Sequence, residues 1–335
     1  MSKILQKQKK VLILSPDFLT KGSPVVERTL AYNNFFMING VETKLIKTPK
    51  NLIELVRLVI FIYKNSYKNI LITMPSFRNW SLLFLPKINT ILDIRDGWSI
   101  AMKSGYGGTS KPNKKKYYFA KFIEKLAIKV STLTITCTPG LQDYLQNISN
   151  KEVLLVPNGY SKEDQNIVNK LLSDNKPNNI ITFICAGKFS EYGKEKVILI
   201  IDKIEKKYKN KNIILKVVGA DFKENKWIID YIQKQIYSNI KYDYIDRVDR
   251  VQLYKLIIDS DVAISVIRDP SYDFGTKVFD YILCKKPILN YFDTENAFTE
   301  FFNGFFESNF SDKDISFLRS DLLNSKKEKL LGNLQ

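Results

Sequence analysis

Apolar positions along the chain fall into short β-rich runs separated by longer stretches with helical spacing, and this alternation continues from one end to the other. Repeated strand and helix signals of this kind predict a parallel sheet, because parallel strands need a long crossover between them, usually a helix. In the first half the runs are VLILSP from Val11, TKLIKT from Thr43, NILITMP from Asn69, TILDIRD from Thr90, TLTITCT from Thr132 and EVLLVPNG from Glu152. They predict one doubly wound α/β domain over residues 1–160. After Gly159 the pattern loosens into a polar stretch ending DNKPNN (Asp174–Asn179), read as an inter-domain linker over 161–179. The alternation then resumes with ITFICAG from Ile181, IILKVVGA from Ile213, IKYDYID from Ile240, VAISVIR from Val262 and PILNYF from Pro287, a second Rossmann-like domain over 180–310. Residues 311–335 add a helical pattern, DKDISFLRSDLL, and a lysine-rich tail expected to fray. Ligands of open α/β sheets bind beyond the carboxyl ends of the strands, so two such domains predict a site in a cleft between them.

Two helical segments stand apart. LIELVRLVIFIY (Leu52–Tyr63) is almost continuously apolar but carries Glu54 and Arg57 and falls well short of the roughly 20 residues a membrane span needs. A core helix is expected there, with a helix dipping into a membrane face as the other placement. In KSGYGGTSKPNKKKYYFAKFIEKLAIKV, a Gly/Pro/Lys loop (Lys103–Lys116) leads into a helix. Tyr118, Phe119, Phe122, Ile123, Leu126 and Val130 are assigned to one side of it and Lys121, Lys125 and Lys129 to the other. Such a helix suits an anionic bilayer surface, and it equally suits packing on a sheet with its lysines in water.

Composition narrows the chemistry. Apolar residues at 44% and charged residues at 26% are globular proportions, so the whole chain is expected to fold. Cys137, Cys185 and Cys284 lie far apart inside apolar segments, which reads as buried thiols. The apolar run Val11–Leu14 is too short for a signal-peptide core, and a cytoplasmic location is expected. The chain has no histidine, which removes the usual neutral-pH base and the commonest zinc ligand. A net charge of +17 attracts polyanions. No nucleic-acid module signature is present and the basic residues are spread over both halves, so nucleic acid is not an expected partner.

Two segments carry candidate chemistry. CAGKFSEYGKEK (Cys185–Lys196) follows a strand and opens a helix, which turns backbone N–H groups toward an anion, with Lys188 and Lys194 flanking the turn. PSYDFGTKVFDYILCKKPIL (Pro270–Leu289) repeats the arrangement: a loop with Gly275, then a helix carrying Lys277 and Asp280 one turn apart on a shared face. A carboxylate there can accept hydrogen bonds from ribose hydroxyls, or simply complement the positive end of the helix. Solvated loop lysines remain the alternative for Lys188 and Lys194.

The ordered set of VPNG, AGK with its lysine-bearing turn, VVGA, YIDRVDRVQLYKLIIDSDVAISV and FGTKVFDYILCKKPIL resembles a known family. It is similar to the nucleotide-binding half of the large retaining GT-B glycosyltransferase family that includes bacterial lipopolysaccharide, capsule and phosphatidylinositol mannosyltransferases. The likeness spans roughly Val153–Leu289, with a weaker echo at TILDIRDGW. It implies a GT-B fold, with Gly187, Lys188 and Lys194 at the donor diphosphate, Lys277 also reaching phosphate, and Asp280 on the donor ribose. Tyr272 stands where the family usually has a glutamate near the transferred sugar, and Asp273 is the nearest carboxylate. The loop SPDFLTKGSP takes the place of the family's first glycine-rich loop, bringing Gly22 and Ser23 toward donor or acceptor. For the histidine or acidic residue of the first domain the substitute is Asp96, in LDIRDGW. Asp93 and Arg95 are set aside because strand alternation separates their faces from it.

The resemblance thus implies transfer of a sugar from a nucleotide-diphosphate sugar to a lipid-linked or surface-polysaccharide acceptor. The enzyme would work at the inner face of the membrane, against an anionic surface, without metal or other cofactor. Inverting transfer needs a base on the acceptor side, and with histidine absent only Asp96 qualifies. Retention of configuration is therefore expected. Two other functions stay open: a nucleotide-sugar 2-epimerase of the same layout, and a basic nucleic-acid-binding protein.

Overall fold

The computed structural model describes residues 9–20, 22–74, 77–108, 112–172, 180–235, 239–311 and 315–335. The chain divides into two compact units: Met1–Gly105 with Lys111–Asn158 and Leu318–Gln335, and Tyr106–Ser110 with Gly159–Phe317. Each is a Rossmann-like α/β unit built on one parallel sheet.

The first sheet contains β1 (Lys10–Ser15), β2 (Glu42–Lys47), β3 (Asn69–Met74), β4 (Asn89–Ile94), β5 (Leu133–Thr136) and β6 (Leu154–Leu155), in the order β2-β1-β3-β4-β5-β6. The second contains β7 (Ile181–Ala186), β8 (Ile213–Val218), β9 (Ile240–Ile245), β10 (Val262–Ile264) and β11 (Ile288–Leu289), in the order β11-β10-β7-β8-β9. Every pairing is parallel. Parallel sheets are covered on both faces, so their inner strands read as unbroken apolar runs. Val11, Leu12, Ile13 and Leu14 are accordingly all fully buried. Each apolar run seen in the sequence carries a strand.

Four expectations need correction. The polar stretch after Gly159 is not all linker: Ser161 and Asp164 form a reciprocal capping box that starts a helix over Lys162–Leu171. The DNKPNN segment itself lies outside the described residues. The carboxyl-terminal segment does not fray. Helices Arg319–Asn324 and Lys327–Gly332 and the residues after them insert Leu323, Leu330 and Leu334 into the core of the first unit, with Val11, Ile13, Phe36 and Leu71. Asn69 and Gln335 exchange hydrogen bonds at 2.9 and 3.0 Å, which ties the last residue to the start of β3.

The helix Leu52–Lys64 is not a core helix. Only Leu58 and Ile62, one turn apart, are buried, whereas Leu52, Ile53, Val56 and Ile60 are 51–73% exposed. With only Glu54 and Arg57 to mark its wet side, a segment this apolar says little about which of its apolar stripes packs. In the helix Lys114–Val130 the buried stripe is Ala120, Ile123, Glu124, Ala127 and Ile128, while Tyr118, Phe119 and Phe122 are about 60% exposed. The assigned apolar side is therefore split, because small residues and one glutamate face the core.

That glutamate has a structural task. Glu124 is fully buried, and its carboxylate accepts the Trp98 N–H at 2.6 Å and the Ser99 hydroxyl, capping the helix Trp98–Gly108 from another element. Ser99 Oγ also meets the Tyr144 hydroxyl at 2.7 Å. Burial pushes the Glu124 carboxyl up to about 7, against the hydrogen bonds from Ser99 and Trp98. A carboxyl whose folded pKa is raised favours folding most where it is protonated in both states. Its contribution falls as pH climbs from the unfolded value through the folded one. Stability is therefore expected to drop by roughly 3 kcal/mol between about pH 4.5 and 7 through this group. Urea unfolding of Glu124→Gln across that window should show the slope removed, and an unchanged slope would refute the assignment.

Candidate functional site

The carboxyl end of β7 meets the start of the helix Lys277–Leu283. Gly187 follows β7 at φ +87°, a left-handed conformation that L side chains resist, and its N–H donates to Val218 O at 2.8 Å. A Cβ at Gly187 would stand 3.9 Å from Lys277 Cγ, so the turn and the lysine stem lie side by side. The Ala186 N–H donates to the Tyr281 hydroxyl at 2.8 Å, which locks this helix to the strand end.

The loop before the helix is held from three sides. Phe274 packs against Phe298, Phe301 and Phe302 with ring centroids 5.5–5.7 Å apart, and Phe279 packs against Phe302 and Phe317 at 5.5 and 5.3 Å. Asp273 accepts the Gly275 N–H at 3.1 Å and Arg268 Nε at 3.0 Å. Lys196 Nζ donates to the carbonyls of Ile267 and Arg268, both at 3.1 Å.

At the centre is Asp280, 5% exposed. Its carboxylate accepts Lys277 Nζ at 3.0 Å, the Tyr254 hydroxyl at 3.2 Å and Arg250 Nη2 at 3.5 Å. Arg250 turns its Nε and Nη2 to Asp164 at 2.5 and 2.9 Å. Two carboxylates and two cations thus balance each other in a mostly dry environment. Burial opposes the charge on Arg250, but Asp280 and the Asp164 hydrogen bond hold its pKa well above the ordinary value. Burial also opposes the charge on Asp164, yet Arg250 keeps that carboxyl below its usual range. Burial, followed by the Asp280 charge, raises the Tyr254 phenol, which stays a hydrogen-bond donor. Of the group, Lys277 keeps the most exposure, 38% of its side chain.

Gly187, Lys277 and Asp280 are therefore brought together, with Asp273 and Gly275 in the adjoining loop. Asp280 is closed in by its own cations and not presented as an open carboxylate. Lys188 is exposed, its Nζ 5.5 Å above the Tyr192 ring. Lys194 is also exposed, its Nζ 5.4 Å above the Trp227 ring, beside a cavity of about 440 Å³ that Lys223, Glu224, Lys226 and Asp230 help line. Tyr272 is half-buried, with its phenol raised by burial and by Asp269. In the first unit, Gly22 is an exposed turn residue at φ +74°, Ser23 precedes the helix Pro24–Ile38, and Asp96 is half-buried just after β4. Among the described residues no group of three His, Cys, Asp or Glu side chains is placed to hold a metal ion.

Sequence reasoning missed Arg250, Asp164, Tyr254 and the phenylalanine cluster. The last had a visible signal in AFTEFFNGFF, and the S-x-x-D of Ser161–Asp164 marked a helix start.

No family model matches the sequence, and no curated protein matches it. Solved structures do. Sucrose-phosphate synthase from Thermosynechococcus elongatus is similar at a TM-score of 0.59 and 14% identity, over 84% of this chain and 80% of that one. A putative UDP-N-acetylglucosamine 2-epimerase from Listeria monocytogenes gives 0.51 and 11%, over 96% and 88%. An alpha-glucosyltransferase in complex with UDP gives 0.50 and 10%, over 84% and 80%. The fold is GT-B. At these identities the likeness is one of architecture, and within that GT-B architecture the Lys277–Asp280 group belongs to the second Rossmann-like unit.

Removing one member of a buried ion pair leaves the other charge unmatched, whereas losing a partly exposed lysine costs little. Asp280→Asn is expected to lower unfolding free energy by roughly 2–3 kcal/mol, and Lys277→Ala by about 1 kcal/mol or less. Chemical denaturation of both variants checks this, and equal losses would contradict the network described.

Proposed function

We propose that this protein is a glycosyltransferase that moves a sugar from a nucleotide-diphosphate sugar to a lipid-linked or surface-polysaccharide acceptor, with retention and without metal. The observation that carries the reading is the lysine at the mouth of the second unit. Lys277 keeps an accessible ammonium beside the Gly187 turn while Asp280, Arg250 and Tyr254 fix its position. A fixed, partly exposed cation against a glycine turn suits a diphosphate. Lys188 adds a second cation one residue from that turn. Lys194 joins them once it leaves the Trp227 ring, and Tyr272 and Asp273 border the transferred sugar.

On this reading Asp96, Gly22 and Ser23 hold the acceptor in the first unit. The bond between the anomeric carbon and the diphosphate oxygen breaks while the acceptor oxygen bonds to that carbon on the same face. The departing diphosphate oxygen takes the acceptor proton, so no protein base is required, and the lysines stabilise the charge that develops.

A screen of nucleotide sugars by thermal shift tests donor use directly, since a ligand at 100 times its dissociation constant stabilises by about 2.7 kcal/mol. With the donor in hand, Lys277→Ala and Lys188→Ala should each cut kcat/KM about tenfold or more, the scale of one charge-assisted contact. Turnover should persist in EDTA, and NMR of the product should show the donor's anomeric configuration. Isomerisation of UDP-N-acetylglucosamine without acceptor would replace this reading with a 2-epimerase.

The proposal includes a membrane-facing role for the first unit. No described helix is long and apolar enough to cross a bilayer. Tyr118, Phe119 and Phe122 are exposed on the lysine-rich helix Lys114–Val130, and Leu52, Ile53, Val56 and Ile60 on the helix Leu52–Lys64. Apolar side chains interleaved with lysines suit the boundary of an anionic bilayer, where each lysine adds about 1 kcal/mol. Sedimentation with vesicles should show binding that requires anionic lipid and weakens with salt. Equal binding to neutral vesicles, or none to either, would contradict it.

A further inference from the structure

Just past the end of β4 stands a cation whose buried Nε has no hydrogen-bond partner. Asp93 and Arg95 are two residues apart and point to one face of the strand. Asp93 is fully buried, and its carboxylate accepts Arg28 Nε at 3.0 and 2.9 Å, Arg28 Nη2 at 2.7 Å and the Tyr32 hydroxyl at 3.1 Å. Arg28 Nη1 donates further to Val156 O at 2.9 Å. One anion and one cation are thereby balanced, both out of water.

Arg95 is the remainder. Its side chain is only 10% exposed, and its Nε is buried without a hydrogen-bond partner. Its one ion pair among the described residues is with Asp93 Oδ2 at 3.9 Å, an oxygen already taken by Arg28. Cys137 Sγ reaches the Arg95 carbonyl at 3.6 Å, so a neighbouring strand end holds the backbone there. Around the Asp93 carboxylate two arginines therefore meet one anion, at the carboxyl ends of parallel strands, where ligands of such sheets bind. A buried guanidinium nitrogen without a hydrogen bond is costly unless something brings an acceptor to it, and the planar fork of arginine matches the oxygens of a phosphate. In a chain of net charge +17 a dianionic group gains more than a carboxylate.

We propose that Arg95 is the receptor for a phosphate or diphosphate group carried by the acceptor. The assignment to an acceptor rests on the glycosyltransferase reading; the anion site itself does not. It makes the acceptor a phosphorylated glycan or a glycan on a lipid diphosphate, and it gives a residue set aside on strand alternation a direct contact with substrate.

The test uses ¹⁵N–¹H NMR of the full chain, with the Arg95 Nε–Hε signal assigned by its loss in Arg95→Lys. Inorganic phosphate, glucose 6-phosphate and a short-chain prenyl diphosphate are titrated separately, with sodium acetate as the carboxylate control. At least one phosphate probe should shift that signal saturably and bind at least tenfold more weakly to Arg95→Lys and Arg95→Met. The tightest probe separates free phosphate, which would deny the acceptor role, from a sugar phosphate or a lipid diphosphate. Arg95→Met should melt no lower than the parent, because it removes a buried Nε that has no hydrogen-bonding partner. If that variant does not fold, the Arg95→Lys titration decides. Silence with every phosphate probe, a response to acetate alone, or unchanged affinity in the variants would overturn the site. Thermal shift by nucleotide sugars, measured in parallel, reports donor binding independently, so failure of the anion site and failure of the transferase reading are distinguishable.

Discussion

A carboxylate withdrawn from water needs cations or hydrogen-bond donors, and each unit of this protein has one such group matched by cations. In the first it is Asp93, clamped by Arg28 and Tyr32; in the second it is Asp280, shared by Lys277, Arg250 and Tyr254. Both sit near the carboxyl ends of the strands, where parallel sheets leave room for ligands. What is left over after the match differs. The second unit balances its cations with Asp164 and leaves an ammonium partly exposed, whereas in the first two arginines share Asp93.

This division explains what the sequence could and could not reveal. Strands were legible because burial on both faces forces continuous apolar runs, and Lys277 with Asp280 was legible because i and i+3 share a helix face. Arg250 was not, since its partner Asp164 lies 86 residues away and no local pattern links them. Asp93 and Arg95 were set aside by comparing faces with Asp96, yet the informative comparison was between those two residues and Arg28, 65 residues from Asp93. The same limit applies to Leu52–Lys64, where the choice of buried stripe is made by what packs against the segment and not by the segment itself.

Without histidine, the chemistry open to a GT-B protein of this composition leans on lysine, arginine and carboxylates. Lysine is a compact point charge and arginine a planar fork. In the proposed roles Lys277 meets a diphosphate as a held point charge and Arg95 a phosphate as a planar fork, each side chain in the role its shape allows. The phenylalanine cluster around Phe274 and Phe302 supplies the rigidity that the loop before Lys277 lacks on its own.

The two closing helices have a consequence for biogenesis. Leu323, Leu330 and Leu334 complete a core whose other members begin at Val11, so that core draws on segments synthesised far apart in time. The second unit needs none of these residues and is able to fold earlier, reversing the usual order in which amino-terminal domains fold first during synthesis. During that interval the apolar side chains of Val11, Ile13 and Leu71 lack part of their cover, a period in which a chaperone has the most to protect.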